Sequence, residues 1–197
     1  MYELLRNNIE KKIPLTNEEW ELIQENVKQV KLKKNDYLQI QDSNSKYEAF
    51  VLNGAFKIYH LKENGAECIL FFAFDNDWIT DVESFYHDKL TRYNIKALED
   101  CEILVINKIN KTKLFKEVPK LLKFHTLLIE KTNIVMQDRL LDILNKTSKQ
   151  RYLDFINKYP VKAQRINDRN LSSYLGVSHE FLCKIKKQFK LERTTEC

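Results

Sequence analysis

The 197-residue sequence predicts an α+β protein made of a β-roll, a long helix and a final pair of short helices joined by a tight turn. Three observations support this fold class. The hydrophobic spacing changes from helical to alternating near Val30. A helical pattern without Gly or Pro follows Pro119, and Gly176 separates two short helical patterns further on. We place the boundaries of the three parts at residues 1–118, 119–145 and 146–197.

The first segment, residues 2–28, is predicted to be helical. Thr16 can cap a helix in which Trp20, Ile23 and Val27 recur at helical spacing. Trp20 is therefore expected to be a packing anchor.

The β-roll is predicted over residues 30–108. Runs rich in β-branched and aromatic residues alternate with turn signals at Lys34–Asp36, Asn53–Gly54 and Asn64–Gly65. Residues 93–108 supply two more strands. Short strands joined by tight turns are typical of a sandwich or barrel.

The long helix carries two adjacent apolar rows with seven-residue spacing. The rows are Leu121, Leu128 and Val135, and Leu127, Ile134 and Leu141. One row can cover the β-roll while the other meets the same helix of a second subunit, which predicts a homodimer. The alternative is that one chain buries both rows. Residues 145–149 are the predicted hinge to a further helix that ends at Pro160.

The last two helical patterns predict a helix-turn-helix. Gly176 suits the left-handed residue that ends the first helix, and Ser178 can cap the second. One side of the second helix is predicted to face a core through Phe181, Leu182, Ile185 and Phe189.

A helix of this kind fits the major groove of DNA, where its first turns meet base edges and later cations meet phosphates. Base reading is expected from Ser178, His179, Glu180 and Lys184, and phosphate binding from Lys186, Lys187 and Lys190. The alternative is a helical hairpin with a solvated lysine face.

The distribution of charge favours nucleic acid as a partner. Residues 1–145 carry 21 Lys and Arg against 23 Asp and Glu, whereas residues 146–197 carry 12 against 5. A positive field around the helix-turn-helix raises affinity for phosphate backbones through counterion release.

Other function classes find little support. No stretch approaches the length of a membrane span, and the N-terminus mixes acids with bases, so we expect a cytoplasmic protein. The four cysteines are dispersed and the four histidines form no ligand pair, so no metal site is predicted. A cupin-like enzyme would need a His and carboxylate cluster that is lacking here, and no catalytic residue is assigned.

A helix, a β-roll, a long helix and a small basic helix-turn-helix, in this order, resemble the Crp/Fnr family of bacterial transcription regulators. The resemblance is closest to the Bacteroidetes-type members, through LFFAFDNDWITDVESF, TRYNIKALEDCEIL and LSSYLGVSHEFLCKIKK. It implies a cyclic nucleotide-binding-like sensor domain, a dimerisation helix and a DNA-binding domain. It also implies double-stranded DNA, a second subunit and RNA polymerase as partners.

The resemblance places the base-reading positions of the family on His179, Glu180 and Lys184. The first and third are arginines in the cyclic-AMP receptor branch, so the target sequence should differ. The winged hairpin that normally follows is expected to be reduced or absent, since only LERTTEC follows Lys190.

The implied effector pocket departs further from the family pattern. Cyclic-nucleotide binders of this fold use Gly-Glu and Arg-Ser pairs, where this chain has Thr80–Asp81 and Arg92–Tyr93. The candidate pocket residues are Asp81, Glu83, Arg92 and Tyr93, and cyclic AMP in its usual pose is not expected. Arg92 either binds an acidic effector of another kind or forms an internal ion pair with Asp81 or Glu83.

No cofactor is expected, since the chain has no early cysteine cluster for an iron–sulfur centre and its histidines are too scattered for haem. Two functions stay open. One is a dimeric DNA-binding transcription regulator. The other is a small-molecule-binding or interaction module whose degraded helix-turn-helix does not read DNA.

Overall fold

The computed structural model describes residues 2–195, with side chains of the last helix described through residue 188. The helices are α1 (Glu3–Glu10), α2 (Asn17–Asn26), α3 (Val82–His87), α4 (Lys108–Glu117), α5 (Lys120–Asn145), α6 (Ser148–Lys158), α7 (Pro160–Gln164), α8 (Asp168–Leu175) and α9 (His179–Thr195). The strands are β1 (Lys28–Leu32), β2 (Tyr37–Gln39), β3 (Tyr47–Asn53), β4 (Ala55–Leu61), β5 (Glu67–Phe74), β6 (Trp78–Ile79), β7 (Asn94–Ala97) and β8 (Cys101–Asn107). The side-chain predictions for Phe189 and Lys190 lie outside the described part.

The strands form two four-stranded antiparallel sheets, ordered β1-β8-β3-β6 and β2-β7-β4-β5. Small and β-branched side chains fill the space between the sheets, among them Ala49, Val51, Ala97, Ile103 and Val105. The predicted α+β class with an N-terminal β-roll and C-terminal helices is confirmed.

The two Asn-Gly signals have different roles. Asn64–Gly65 turns the β4–β5 hairpin, in which the Lys62 amide donates to the Ala66 carbonyl at 2.9 Å. Gly54 instead carries the chain from β3 in one sheet to β4 in the other. Its φ is +127°, and a Cβ there would lie 2.4 Å from the Cys101 Sγ. Only glycine fits this crossing, since a side chain would meet both strain and a clash.

The N-terminal segment, predicted to be helical over residues 2–28 with a cap at Thr16, forms two helices. The chain leaves helical geometry between α1 and α2, and Thr16 begins α2 with a capping box to Glu19. The strand β1 already begins at Lys28. Trp20 is 7% exposed and packs in the cluster beneath these helices, as predicted.

The helix α5 changes its surroundings along its length. Leu121 and Phe124 near its start are buried, and the Phe124 ring lies 5.8 Å from the Trp78 ring. The apolar side chains beyond the middle are 42–70% exposed, namely Ile134, Val135, Met136, Leu140, Leu141, Ile143 and Leu144. The sequence predicted one buried row and one exposed row. Burial instead differs between the two ends of α5, because the first turns pack into a core with the N-terminal helices and the β-roll, whereas the apolar side chains of the last turns are left uncovered.

A buried ion pair joins α4 to the β-roll beside the start of α5. Lys111 of α4 pairs with Glu48 of β3, and both side chains are at most 7% exposed. The Tyr86 hydroxyl and the His125 Nε2 atom of α5 lie 2.9 Å apart beside this pair. Burial lowers the pKa of Lys111, while Glu48 opposes that shift. Burial and the nearby Lys111 cation lower the pKa of His125.

The predicted hinge contains the break between α5 and α6. Thr147 caps α6 in a capping box with Gln150. Lys146 lies 2.8 Å from both Asp142 and Asp154, and these hydrogen bonds raise its pKa. Pro160 does not simply end the preceding helix, because it also begins α7.

Across residues 2–195, we find no helix whose length and apolarity would let it cross a lipid bilayer.

Candidate functional site

The helices α8 and α9 meet at a short turn built as the sequence predicted. Gly176 ends α8 in the left-handed region with φ +70°. The Val177 amide donates to the Ser172 carbonyl at 3.0 Å, which closes the end of the helix. The Ser178 hydroxyl accepts from the Phe181 amide at 3.1 Å and thereby caps α9.

The first turns of α9 have a buried side and a polar side. Leu182 and Ile185 are 0% and 2% exposed and pack against α8 and α6. The predicted base-reading residues are all exposed, and so is one predicted phosphate-binding lysine; these are Ser178, His179, Glu180, Lys184 and Lys187. The structure therefore brings them together on one accessible face of a helix.

Glu180 is held in its ionised form at this face. Its own backbone amide in the first turn and the Ser178 hydroxyl lower the pKa of Glu180. An ionised carboxylate only accepts hydrogen bonds, which suits the amino group of cytosine in a major groove. The His179 Nδ1 atom lies 3.6 Å from the Cys183 Sγ one turn later.

Lys186 lies on a different side of α9 from Lys184 and Lys187. Its Nζ atom lies 2.6 and 2.8 Å from the two Asp168 carboxylate oxygens in the first turn of α8. The ion pair joins the two helices, so this lysine has a structural role. Arg169, next to Asp168, is exposed at the start of α8 and was not singled out in the sequence. The position of Arg169 just after the Asn167 cap could have singled it out in the sequence, because a side chain there borders the N-terminus of a helix.

We use the term C-terminal unit for α6 to α9. This unit is docked on the free edge of β5 in the β-roll. The Ser173 hydroxyl of α8 donates to the Glu67 carbonyl at 2.6 Å and accepts from the Ile69 amide at 3.2 Å. It therefore satisfies backbone groups of β5 that no neighbouring strand pairs.

Two arginines secure the end of α8. An Nη atom of Arg139 in α5 donates to the Ile69 carbonyl at 3.1 Å and to the Tyr174 carbonyl at 2.9 Å. Arg151 in α6 donates to the Leu175 carbonyl at 3.0 Å. Cations at the C-terminus of a helix also interact favourably with its dipole. The turn before α9 is thus held by α5, α6 and β5 together.

An ionic contact joins α7 to the turns of the β-roll. Arg165 pairs with Asp75 at 2.7 Å and with Glu99, and Lys162 lies 3.3 Å from Asp77. Burial raises the pKa of Asp75, but hydrogen bonds from Arg165 and the Gly54 amide hold it below its usual value. Cations of the C-terminal unit are therefore neutralised by acids of the β-roll.

The candidate effector residues are occupied by internal contacts. The buried Asp81 carboxylate accepts from the Thr91 hydroxyl at 2.5 Å and from the Ser84 amide at 3.2 Å. An Nη atom of the exposed Arg92 lies 3.3 Å from Glu83, which also accepts from Lys89 at 2.7 Å.

These contacts agree with the internal ion pair that the sequence left open for Arg92, with Glu83 as its partner. Tyr93 is half-buried, and its amide donates to the Thr91 hydroxyl at 3.1 Å. Within residues 2–195, no three His, Cys, Asp or Glu side chains are grouped as metal ligands.

A comparison with known families and structures bears on this arrangement. Residues 29–117 match the cyclic nucleotide-binding domain family. We found no similar sequence among curated proteins. Several solved structures have a similar fold across most of the chain.

One is CLP, described as the c-di-GMP-responsive global regulator of Xanthomonas campestris, with a TM-score of 0.75, 11% identity and coverage of 90% of this chain and 93% of that one. FixK2 of Bradyrhizobium japonicum gives a TM-score of 0.75, 17% identity and coverage of 84% and 85%. A Crp/Fnr-family regulator from Eubacterium rectale gives a TM-score of 0.71, 16% identity and coverage of 90% and 85%. At these identities the likeness is one of fold. Residues 29–117 thus match the cyclic nucleotide-binding domain family, and the overall fold of the chain is that of the Crp/Fnr regulators.

Proposed function

We propose that this protein is a dimeric, sequence-specific DNA-binding regulator of the Crp/Fnr type that acts in the cytoplasm. In this assignment residues 1–118 are the sensor, residues 119–145 the dimerisation helix and residues 146–197 the DNA-binding domain. The observation that carries the proposal is the face of α9 that exposes Glu180, Lys184 and Lys187 opposite a buried side. A helix with this distribution can enter a major groove while its other side stays attached to the protein.

A second copy of the chain is the proposed occupant of the exposed end of α5. Two such helices packed together would cover their apolar side chains and relate two copies of α9 by a twofold axis. Recognition helices about 34 Å apart enter successive major grooves, so the expected target is a near-palindromic duplex. RNA polymerase is the further partner that a transcription regulator of this type would contact.

A small-molecule effector fits a domain of the cyclic nucleotide-binding family. The Glu83 carboxylate beside Arg92 would compete with an anionic group for the guanidinium. Asp81 is likewise engaged by Thr91 and Ser84. We therefore propose that any effector differs from cyclic AMP in its usual pose.

A gel-shift titration tests DNA binding. Duplexes would first be selected from a random pool by the wild-type chain at low salt, with and without candidate effectors. Lys184→Ala with Lys187→Ala should lower the affinity at least tenfold, since each lysine acts twice in a dimer. Lys187→Ala alone should lower the slope of log affinity against log salt by about 2, at roughly 0.9 for each phosphate contact.

The matched control is Lys28→Ala with Lys34→Ala, which removes the same charge from exposed positions of the β-roll. It should leave affinity nearly unchanged. Equal losses of DNA affinity in the two double variants would show that only the net charge of the protein matters, and not the face of α9. Absence of any duplex binding by the wild type would favour an interaction module that does not read DNA.

A further inference from the structure

Phe181 is exposed where the sequence predicted a core residue. It is 48% exposed, whereas its neighbour Leu182 is fully buried. Among the side chains of α8 and α9 described through residue 188, it is the only large apolar one that is exposed. Contacts within the C-terminal unit therefore leave much of its ring uncovered.

The position of Phe181 on α9 is fixed by its backbone. Its amide donates to the Ser178 hydroxyl at 3.1 Å, and the next amide, of Leu182, donates to the Ser178 carbonyl at 3.0 Å. Phe181 follows Glu180 in the first turn and lies three residues before Lys184, which is one helical turn away. The ring thus borders the polar face proposed to enter the groove.

A phenyl ring recognises a different group from its polar neighbours. It has no hydrogen-bonding atom, so it cannot read the nitrogen and oxygen atoms of base edges. The thymine C5-methyl is the apolar group that a base pair presents in the major groove, and apolar side chains contact it there. Glu180 and Lys184 can accept from cytosine and donate to guanine, respectively.

We propose that Phe181 is a specificity-determining residue that contacts a thymine methyl group in each half-site. This inference rests on the proposed DNA binding and adds to it the identity of a base. It predicts a thymine near the C·G pair that Glu180 would read. Contact with the methyl group would also cover part of the exposed ring.

The test removes only the methyl group from the DNA. In a duplex selected by the wild-type chain, each thymine of a half-site is replaced in turn by deoxyuridine, and the Kd is measured by fluorescence anisotropy. At one position the replacement should weaken wild-type binding about three- to fivefold, the effect of uncovering one methyl group. Phe181→Ala removes the contact in both half-sites, so it should weaken binding to the thymine duplex by roughly the square of that factor, about ten- to twentyfold, and lose its sensitivity to that replacement.

Two further variants test whether the sensitivity to the methyl group depends on an apolar side chain at position 181. Phe181→Leu should retain part of the sensitivity, because leucine still offers apolar contact. Val161→Ala, at an exposed apolar position of α7, should keep all of it. Thermal melting should show little change for Phe181→Ala, since the side chain is half exposed.

The inference fails if no deoxyuridine weakens wild-type binding, or if Phe181→Ala keeps the wild-type sensitivity. Either result leaves DNA binding itself standing. A wild-type chain that binds no duplex overturns the proposed function together with this inference.

Discussion

The two ends of α5 are both rich in large apolar residues but have different surroundings. The first turns contribute Leu121 and Phe124 to a core with the N-terminal helices and the β-roll. The last turns are also rich in large apolar side chains, yet Leu140 and Leu144 are 58% and 70% exposed. The difference shows that the chain itself covers only the first part of the helix. The proposed partner for the remainder is a second copy of the chain.

Burial of the outer end by a second copy is favourable on simple grounds. Fully burying a leucine or isoleucine side chain contributes about 1.5–3 kcal/mol. Several such side chains line the last three turns, so a dimer would gain much more than one contact. The comparison predicts that changes at the outer end affect association, whereas changes at the start affect folding.

The largest expected effect comes from charge at the outer end. Leu140→Glu with Leu144→Glu would place carboxylates in the proposed subunit contact, and because both subunits carry the two changes, the lost apolar burial alone would cost about 3–6 kcal/mol per subunit. The dimer Kd should rise by a factor of about 100 or more. Sedimentation velocity over a range of protein concentrations would measure it.

The matched control for this change is Ile109→Glu, at an 80% exposed position of α4. It should leave the association unchanged. A double variant that stays dimeric at low concentration would place the subunit contact elsewhere.

The second effect concerns folding at the start of α5. Lys111→Met would leave the Glu48 carboxylate buried without its partner, and breaking a buried pair in this way costs about 3–5 kcal/mol. Urea unfolding should show this loss, and Lys111→Met with Glu48→Leu should recover much of it. Lys113→Met, which removes an exposed pair at 3.9 Å with Glu117, should cost at most about 0.5 kcal/mol. Similar losses for both lysines would contradict the assigned role of the buried pair.

The smallest effect is a pH dependence at the same place. Because the pKa of His125 is lowered on folding, below about pH 6.5 the unfolded chain binds a proton at this residue more readily than the folded chain does. The contribution of His125 to the free energy of unfolding is therefore complete above that pH and is lost as the pH falls. His125→Gln should lessen the loss of stability between pH 7 and pH 5, because glutamine takes up no proton in the unfolded chain. Parallel urea titrations of the two proteins would measure the difference, and identical pH profiles would exclude this role.

Local chemistry was predictable from the sequence. The caps at Thr16 and Ser178 and the left-handed Gly176 each depend on residues within a few positions of one another. The order of the strands and helices also followed from the period of the apolar residues. Most of the fold, and the location of the candidate DNA-reading residues, could be predicted from these features.

Long-range partners were not predictable. The exposure of Phe181, the pairing of Lys186 with Asp168 and the crossing at Gly54 depend on how elements meet. A helical pattern assigns a residue to a side of the helix, but it cannot say how far the neighbouring elements extend over that side. The contacts of Arg139 and Arg165 lacked any local signal, since their partners lie 35 to 90 positions away.

The docking of Ser173 on β5 has a consequence for how far the C-terminal unit can travel. The outer margin of a sheet is a template onto which foreign strands can add, and proteins cover or blunt it to stay in solution. Here the hydroxyl of Ser173 and the guanidinium of Arg139 act as that cover. A large rotation of the C-terminal unit would expose the unpaired backbone groups at the edge of β5. Small rotations about this contact would keep the edge covered and so avoid aggregation through added strands.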